Sequence, residues 1–243
     1  MRFLSLAGRN IKEIYRDPAA VIMGVIMPAV LLLLFASMGQ GAAPVDIFTV
    51  DGLTPAVTVF SFGFLTLFSA MLLARDRESA FLTRLLIAPL KATDFILAYM
   101  LPFLPVAALQ IVVCLTAGSL MGMKAGFSWA PFLVVMFILA VACIGIGMIL
   151  GSLFSVNMAP PAGSLVVVII GLFGGVWMPL KQVGGIFGAV GYALPFAHAV
   201  DAARAIVKGA GMGDITVELY WLLGYTVLFF LLGVFFFRWK TKQ

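Results

Sequence analysis

Charged side chains are scarce in this chain of 243 residues. Asp, Glu, Lys and Arg make up 10% of it, hydrophobic residues make up 63%, and the mean hydropathy is +1.17. Soluble domains carry roughly 25% charged residues. A soluble domain of this size could not bury so much apolar surface, and a disordered chain needs the opposite balance. The composition therefore indicates a polytopic membrane protein and excludes soluble folds.

Residues that build metal, redox or phosphate-binding sites are also few. The chain has two cysteines, Cys114 and Cys143, and one histidine, His198. Both cysteines lie in long apolar runs, so we expect buried thiols rather than ligands. A Walker A loop needs Gly-Lys followed by Ser or Thr, and the sequence has no Gly-Lys pair. We therefore predict no cofactor or metal site in this chain, and ATP-driven work would need a second polypeptide.

Six runs are long and apolar enough to cross a membrane as helices of about 20 residues. They cover residues 19–38, 57–74, 96–121, 130–154, 162–179 and 220–237. The runs are continuously apolar, which predicts an all-α fold and argues against a strand barrel. The first run is longer than the core of a cleaved signal peptide, so we interpret it as a span. Lys and Arg concentrate on one side of this layout, which places both termini in the cytoplasm.

The cores of the six runs contain no Asp, Glu, Lys, Arg or His. Transporters driven by protons or sodium usually keep ionisable residues at this depth, and ion channels use charged rings or a carbonyl filter. The sequence therefore favours neither class. An intramembrane enzyme is excluded for the same reason, since no polar catalytic set lies within the runs.

Two segments on the predicted cytoplasmic side are candidates for contact with a partner. Residues 1–18 predict an amphipathic helix on the membrane surface, although a simple basic flank is an equal alternative. Its charged candidates are Arg9, Lys12, Glu13 and Arg16. Residues 75–95 begin with alternating charges and continue with an apolar stripe at helical spacing. We interpret them as a docking and force-transmitting segment; the alternative is a solvated charged hairpin. Its candidates are Arg75, Asp76, Arg77, Glu78, Phe81, Arg84, Leu85 and Pro89.

Three stretches carry a resemblance to a known family. They are Leu53-Thr54-Pro55, the sequence MLLARDRESAFLTRLLIAPL at 71–90, and YALPFAHAVDAARAIVKGAG at 192–211. On a six-span frame, the chain resembles the permease subunits of type-2 ATP-binding-cassette (ABC) exporters. One departure is the short segment 39–56, which leaves no room for the folded outer domain of some relatives.

The resemblance implies partners and a location. A second copy, or a similar permease, would pair with this chain among membrane lipids. Separate cytoplasmic ATPase subunits would carry ATP and Mg, and the segments 1–18 and 75–90 would pass their motion to the spans. A prokaryotic cytoplasmic (inner) membrane is expected by the same analogy. No nucleic-acid partner is expected, because the basic residues lie at the ends of apolar runs.

Residues 180–219 are too apolar for a solvated loop and too short in their apolar part to span. We predict re-entrant or interfacial helices, which protein contacts can cover. The resemblance implies an outer gate here; the alternative is an interfacial hairpin with no gating role. The gate candidates are Phe187, Tyr192, Pro195, Phe196 and His198. His198, Asp201 and Arg204 are three residues apart, which predicts local pairing on one helix rather than catalysis.

The second run is polar along one side. Its candidates for lining a transport path are Thr58, Phe60, Ser61, Phe64, Phe68 and Ser69. Hydroxyls at such depth usually bond their own backbone, and aromatics at helical spacing usually face lipid or a neighbouring helix. Gly147–Gly151 and Gly171–Gly175 predict close helix contacts, and we favour the fifth run as a subunit interface.

The leading hypothesis is an ATP-driven exporter permease. Its uncharged, Phe-rich path would suit an amphipathic, drug-like, lipid-like or lipid-linked glycan substrate. The alternative is a membrane assembly or scaffold protein that transports nothing.

Overall fold

The computed structural model describes residues 2–18, 22–39, 48–79, 92–123, 126 and 128–241. All regular elements in these ranges are helices. In chain order they are α1 (Arg2–Tyr15), a π-helical turn (Ile22–Ile26), α2 (Met27–Gly39), α3 (Val50–Glu78), α4 (Ala92–Met100), α5 (Phe103–Leu120), α6 (Trp129–Leu153), α7 (Ala159–Phe173), α8 (Leu180–Val183), α9 (Gly185–Tyr192), α10 (Pro195–Val207), a 3₁₀ turn (Met212–Ile215) and α11 (Thr216–Thr241).

Helix α3 is the centre of the fold. It begins at the N-cap Thr49, whose side-chain oxygen accepts a hydrogen bond from the N–H of Gly52 at 3.2 Å. Its 29 residues extend about 43 Å, more than the roughly 30 Å hydrocarbon core of a bilayer. Helices α2, α5, α6, α7 and α10 pack around it, and most of its side chains are buried. The helix therefore joins the two ends of the molecule.

Four helical segments are long and apolar enough to cross a membrane. They are α3, residues 93–120 across α4 and α5, helix α6, and residues 212–240 containing α11. Helices α9 and α10 bend by 86° at their junction and make a fifth candidate if counted as one span. Residues 22–37 and α7 are apolar but shorter. The all-helical membrane fold is confirmed, whereas the six-span layout and the cytoplasmic termini stay predictions.

Glycine allows α6 to approach α3 closely. A Cβ atom on Gly147 would lie 1.9 Å from Oγ of Ser69 and 2.7 Å from the backbone oxygen of Thr66. A Cβ atom on Gly151 would lie 2.7 Å from the backbone oxygen of Ala70. This glycine pair is therefore used in a contact within the chain, as expected of small residues at a helix interface in membranes.

We expect Gly147→Ala to destabilise the protein by about 1–3 kcal/mol, because the added methyl group would overpack the α3–α6 contact. Gly224→Ala in α11 is the matched control, since nothing lies within 4 Å of the Cβ it would add. Thermal unfolding in detergent measures both, and a Gly224→Ala loss as large as that of Gly147→Ala would contradict the packing argument.

The glycines of α7 also contact this chain. A Cβ atom on Gly171 would lie 3.4 Å from the Phe60 ring and 3.5 Å from Trp177. The large hydrophobic side chains that α7 exposes are instead Leu165, Val168 and Leu172. A subunit interface on this helix stays a prediction, and it would use these leucine and valine side chains.

Two prolines leave a backbone oxygen without its usual helical donor, because proline has no N–H. Four residues before Pro28 lies Gly24, whose oxygen accepts a hydrogen bond from Nε2 of Gln110 at 2.6 Å. Four residues before Pro102, the corresponding oxygen accepts from Nδ2 of Asn10 at 3.3 Å. Both amide side chains are fully buried. They connect α5 to the π-helical turn and α1 to α4.

Candidate functional site

Asp76, near the end of α3, holds three helices together. Its carboxylate is 2% exposed and accepts hydrogen bonds from both terminal nitrogens of Arg9, with 3.0 Å between Nη2 and Oδ1. The Tyr99 hydroxyl of α4 donates to Oδ2 at 2.5 Å. Two-pronged arginine–carboxylate bonds are strong and fix geometry. Asp76 therefore joins α1, α3 and α4; we call Arg9, Glu13, Arg75, Asp76 and Tyr99 the Asp76 cluster.

Glu13 extends this cluster along α1. It pairs with Arg9 at 2.6 Å, one helical turn away, and with Arg75 of α3 at 3.7 Å. The hydrogen bond to Asp76 raises the pKa of the Arg9 guanidinium above its ordinary value, so the guanidinium keeps its charge. Lys12 and Arg16 are exposed. Of the four charged candidates in residues 1–18, Arg9 and Glu13 therefore contact the bundle, whereas Lys12 and Arg16 are exposed.

The next two residues of α3 hold the turn between α6 and α7. Arg77 donates to the backbone oxygen of Ser152 and, at 2.7 Å, to that of Phe154. The last carbonyls of a helix lack intrahelical donors, so this guanidinium caps α6. Glu78 accepts from the N–H of Val156 at 3.1 Å. The end of α3 thus contacts α1, α4 and the α6–α7 turn at once.

Four other candidates for this segment, Phe81, Arg84, Leu85 and Pro89, lie outside the described residues. The charged end of α3 leads directly into the range that contains them. Their role stays a prediction.

The three candidate hydroxyl groups of α3 bond backbone oxygens of the same helix. Thr58 donates to Thr54 at 2.7 Å, Ser61 to Thr58 at 2.6 Å, and Ser69 to Thr66 at 3.2 Å. All of the candidate hydroxyl side chains are fully buried. In this conformation they face helix contacts rather than an open path.

The phenylalanine row is a chain of aromatic contacts, edge-to-face between Phe60 and Phe64 and stacked between Phe64 and Phe68. Ring centroids of Phe60 and Phe64 are 6.0 Å apart, and those of Phe64 and Phe68 are 6.4 Å apart. Trp177, after α7, contacts Phe60 at 5.5 Å and Phe35 of α2 at 4.7 Å. Trp177 therefore covers the Phe60 end of the row and is itself packed against α2.

Arg204 joins three elements at the opposite end of α3. Its guanidinium donates to the backbone oxygens of Gly52 at 3.0 Å, Gly175 at 2.9 Å and Val176 at 3.2 Å. Gly52 lies in the first turn of α3, whereas the other two belong to the irregular segment between α7 and α8. Gly175 has a φ of +70°, which favours glycine. Arg204 therefore fixes α10 to both neighbours.

Asp201 pairs away from its own helix. It accepts from the Tyr192 hydroxyl at 2.7 Å and pairs with Lys181 at 3.0 Å. His198 contacts the Tyr192 backbone oxygen at 3.0 Å and stacks on Trp221 at 4.9 Å. The expected pairing along one helix is thus replaced by bonds between α8, α9, α10 and α11. We use the name Arg204 cluster for Lys181, Tyr192, His198, Asp201, Arg204 and Trp221. Three of its members, Tyr192, Asp201 and Arg204, line a cavity of about 360 Å³.

The gate candidates surround the bend between α9 and α10. Phe187 is 44% exposed and stacks on Phe173 of α7 at 5.5 Å. Pro195 is the first residue of α10, a position that suits proline, and Phe196 is buried. The bend of 86° separates the largely exposed α9 from the mostly buried α10. The structure places these residues together; whether they gate a path stays a prediction.

The sequence analysis did not identify Asn10, Tyr99 and Gln110. Tyr99 belongs to the Asp76 cluster. Asn10 and Gln110 bond the backbone oxygens that precede Pro102 and Pro28. The prolines were a usable signal, since each predicts a carbonyl in need of a donor. The buried cysteines, Cys114 and Cys143, are free thiols, as expected.

Comparison with known proteins identifies the family. The family model for the ABC-2 type transporter matches residues 1–207. Over 124 residues the chain is 32% identical to the "Putative transport permease ycf38" of Pyropia yezoensis and, equally, to its namesake from Porphyra purpurea. Each alignment covers 49% of this chain and 42% of the relative, so the chain spans under half the length of these relatives. Because the family model covers most of its length, the chain belongs to the ABC-2 type transporter family of transmembrane transport subunits.

Proposed function

We propose that this chain is the permease subunit of an ATP-driven exporter, powered by separate cytoplasmic ATPase subunits that bind ATP and Mg. One observation carries the proposal. The Asp76 cluster, Arg77 and Glu78 join α1, α3, α4 and the α6–α7 turn at a single end of the bundle. A push on that end would reach several helices together, because packed helices move as rigid units.

The direction of transport follows from placing this end in the cytoplasm, as the charge distribution favours. From Gly52 to Asp76, α3 extends about 36 Å at 1.5 Å per residue. The Arg204 cluster and the Asp76 cluster would then lie near opposite membrane surfaces. Motion at the cytoplasmic end would loosen the contacts of Arg204 and open the outer segment.

The aromatic row of Phe60, Phe64 and Phe68, in which Phe64 is buried and the other two rings are partly buried, suits an amphipathic, drug-like, lipid-like or lipid-linked glycan substrate. Trp177 covers the Phe60 end of the row, so in this proposal the segment after α7 moves during transport. A second copy, or a similar permease, completes the path in this proposal. The membrane is a prokaryotic cytoplasmic membrane.

Coupling can be tested on the purified complex with its ATPase subunits. We expect Arg77→Ala and Glu78→Ala to leave the complex assembled but to lower substrate-stimulated ATP hydrolysis at least about tenfold. The measurement is phosphate release with and without substrate. Lys240→Ala, an exposed cation at the end of α11, is the matched control and keeps full stimulation.

Two outcomes contradict the proposal. Unchanged stimulation in both variants would remove the end of α3 from the coupling path. Failure of any ATPase subunit to co-purify with the native chain would favour the alternative, a membrane scaffold without transport activity.

A further inference from the structure

A cavity of about 170 Å³ lies between α1, the π-helical turn, α3 and α5. The lining residues at its mouth are exposed, as Ile11 at 43% and Leu109 at 46% show. Those at its closed end, including Leu65 and Phe103, are almost fully buried. The cavity therefore opens on the surface of the bundle beside α1 and narrows inward.

The closed end contains one polar side chain. Gln110 is fully buried, and its Nε2 donates to the backbone oxygens of Gly24 at 2.6 Å and Ser61 at 3.2 Å. Two carbonyl acceptors on that side fix the amide so that the nitrogen faces them. Within the described part of the chain, Oε1 of Gln110 is the buried side-chain atom that has no hydrogen-bond partner.

A buried acceptor without a donor is costly, and native structures seldom leave one so. Among the described residues that line the cavity, none is charged. A group that satisfies Oε1 there must therefore be a neutral O–H or N–H donor, since an ion would lie unpaired among apolar walls.

The size of the cavity limits what can enter. An engineered cavity of about 150 Å³ in another protein binds benzene, so this one has room for about one six-membered ring. Its walls are leucine, isoleucine, valine, proline and phenylalanine side chains, with Tyr15 at the exposed rim. A longer molecule would extend through the mouth into the surrounding lipid.

We propose that the Gln110 cavity binds an uncharged, hydroxyl-bearing amphiphile from the membrane, with its hydroxyl donating to Oε1 of Gln110. An alkylphenol has this chemistry. The cavity shares Phe68 with the aromatic row of α3, but its occupation does not depend on ATPase subunits. Binding of the amphiphile can therefore be confirmed or rejected independently of the proposed transport function.

The test compares 4-pentylphenol with 4-pentylanisole, in which a methyl group replaces the hydroxyl hydrogen and removes the donor. Binding is measured by equilibrium dialysis of the radiolabelled compounds against protein in nanodiscs, with empty nanodiscs subtracted. We expect the protein to bind the phenol about tenfold more tightly than the anisole, as one buried hydrogen bond predicts. Equal binding of the two compounds would overturn the proposal.

Three variants locate the site. Gln110→Leu should abolish the preference for the phenol. Because that change also removes two structural bonds, Leu109→Trp provides a second test that keeps Gln110 and blocks the mouth, so both compounds should lose binding. Val112→Trp, on the lipid-facing side of α5 and 59% exposed, should bind like the native protein. Native binding by Leu109→Trp would show that the phenol lies elsewhere and would overturn the assignment.

Discussion

Replacing Asp76 with alanine is expected to lower the free energy of unfolding by about 3 kcal/mol. Removing one partner of a buried ion pair costs roughly 3–5 kcal/mol, because the other charge is left without compensation. The lower end applies here, since the Arg9 side chain is 37% exposed and keeps its bond to Glu13. Tyr99 also loses the acceptor of its buried hydroxyl. Unfolding in mixed detergent micelles, followed by tryptophan fluorescence, measures the loss.

The adjacent residue provides the control. Arg75 is 50% exposed and lies 3.7 Å from Glu13, so Arg75→Ala should cost about 0.5 kcal/mol or less. The Arg9→Ala and Asp76→Ala changes should be non-additive when combined, because they remove the same contact. Equal losses for Asp76→Ala and Arg75→Ala would mean that the carboxylate does not hold α1 against α3.

The sequence shows that residues 75–78 form a charged run, but it does not show which element each of these residues contacts. Successive residues of a helix point about 100° apart, so neighbours in such a run must contact different elements. Asp76 contacts α1 and α4, whereas Arg77 and Glu78 contact the turn after α6. The partner Arg9 is 67 residues away in sequence. Local sequence patterns therefore predict a functional role for the run, whereas the contacts of its residues are determined by the packing of distant segments.

Hydropathy predicts apolar runs better than helix ends. The fifth run is apolar through Trp177, yet α7 ends at Phe173, because Gly174 caps it and Gly175 takes a positive φ. The first run contains Pro28, the second residue of α2, and a π-helical turn lies directly before that helix. A hydropathy window averages side chains and carries no information on backbone turns. Asn10 and Gln110 donate to the backbone oxygens that lie four residues before Pro102 and Pro28. Both donors belong to distant segments, so local sequence patterns cannot predict them.

Replacing Arg204 with glutamine should destabilise the protein by about 3 kcal/mol and loosen one segment first. The change removes charge-assisted hydrogen bonds to three backbone oxygens, each typically contributing about 1.5–3 kcal/mol but not additively. Residues 174–179 form an irregular segment, and the oxygens of Gly175 and Val176 within it accept from this guanidinium. We therefore expect faster amide hydrogen exchange in 174–179 than in the native protein, with α6 unchanged.

Two further variants separate charge from geometry at this position. Lysine keeps the charge but has no planar fork, so Arg204→Lys should fail to restore protection of residues 174–179. Lys208→Ala, one turn further along and exposed, should leave their exchange at the native rate. If Arg204→Lys protects the segment as well as arginine does, charge alone suffices and the three-carbonyl contact is not what closes this end. Faster exchange only in the Arg204 variants would instead mean that α10 closes the segment after α7 through one guanidinium. Motion of α3 at Gly52 could then release it.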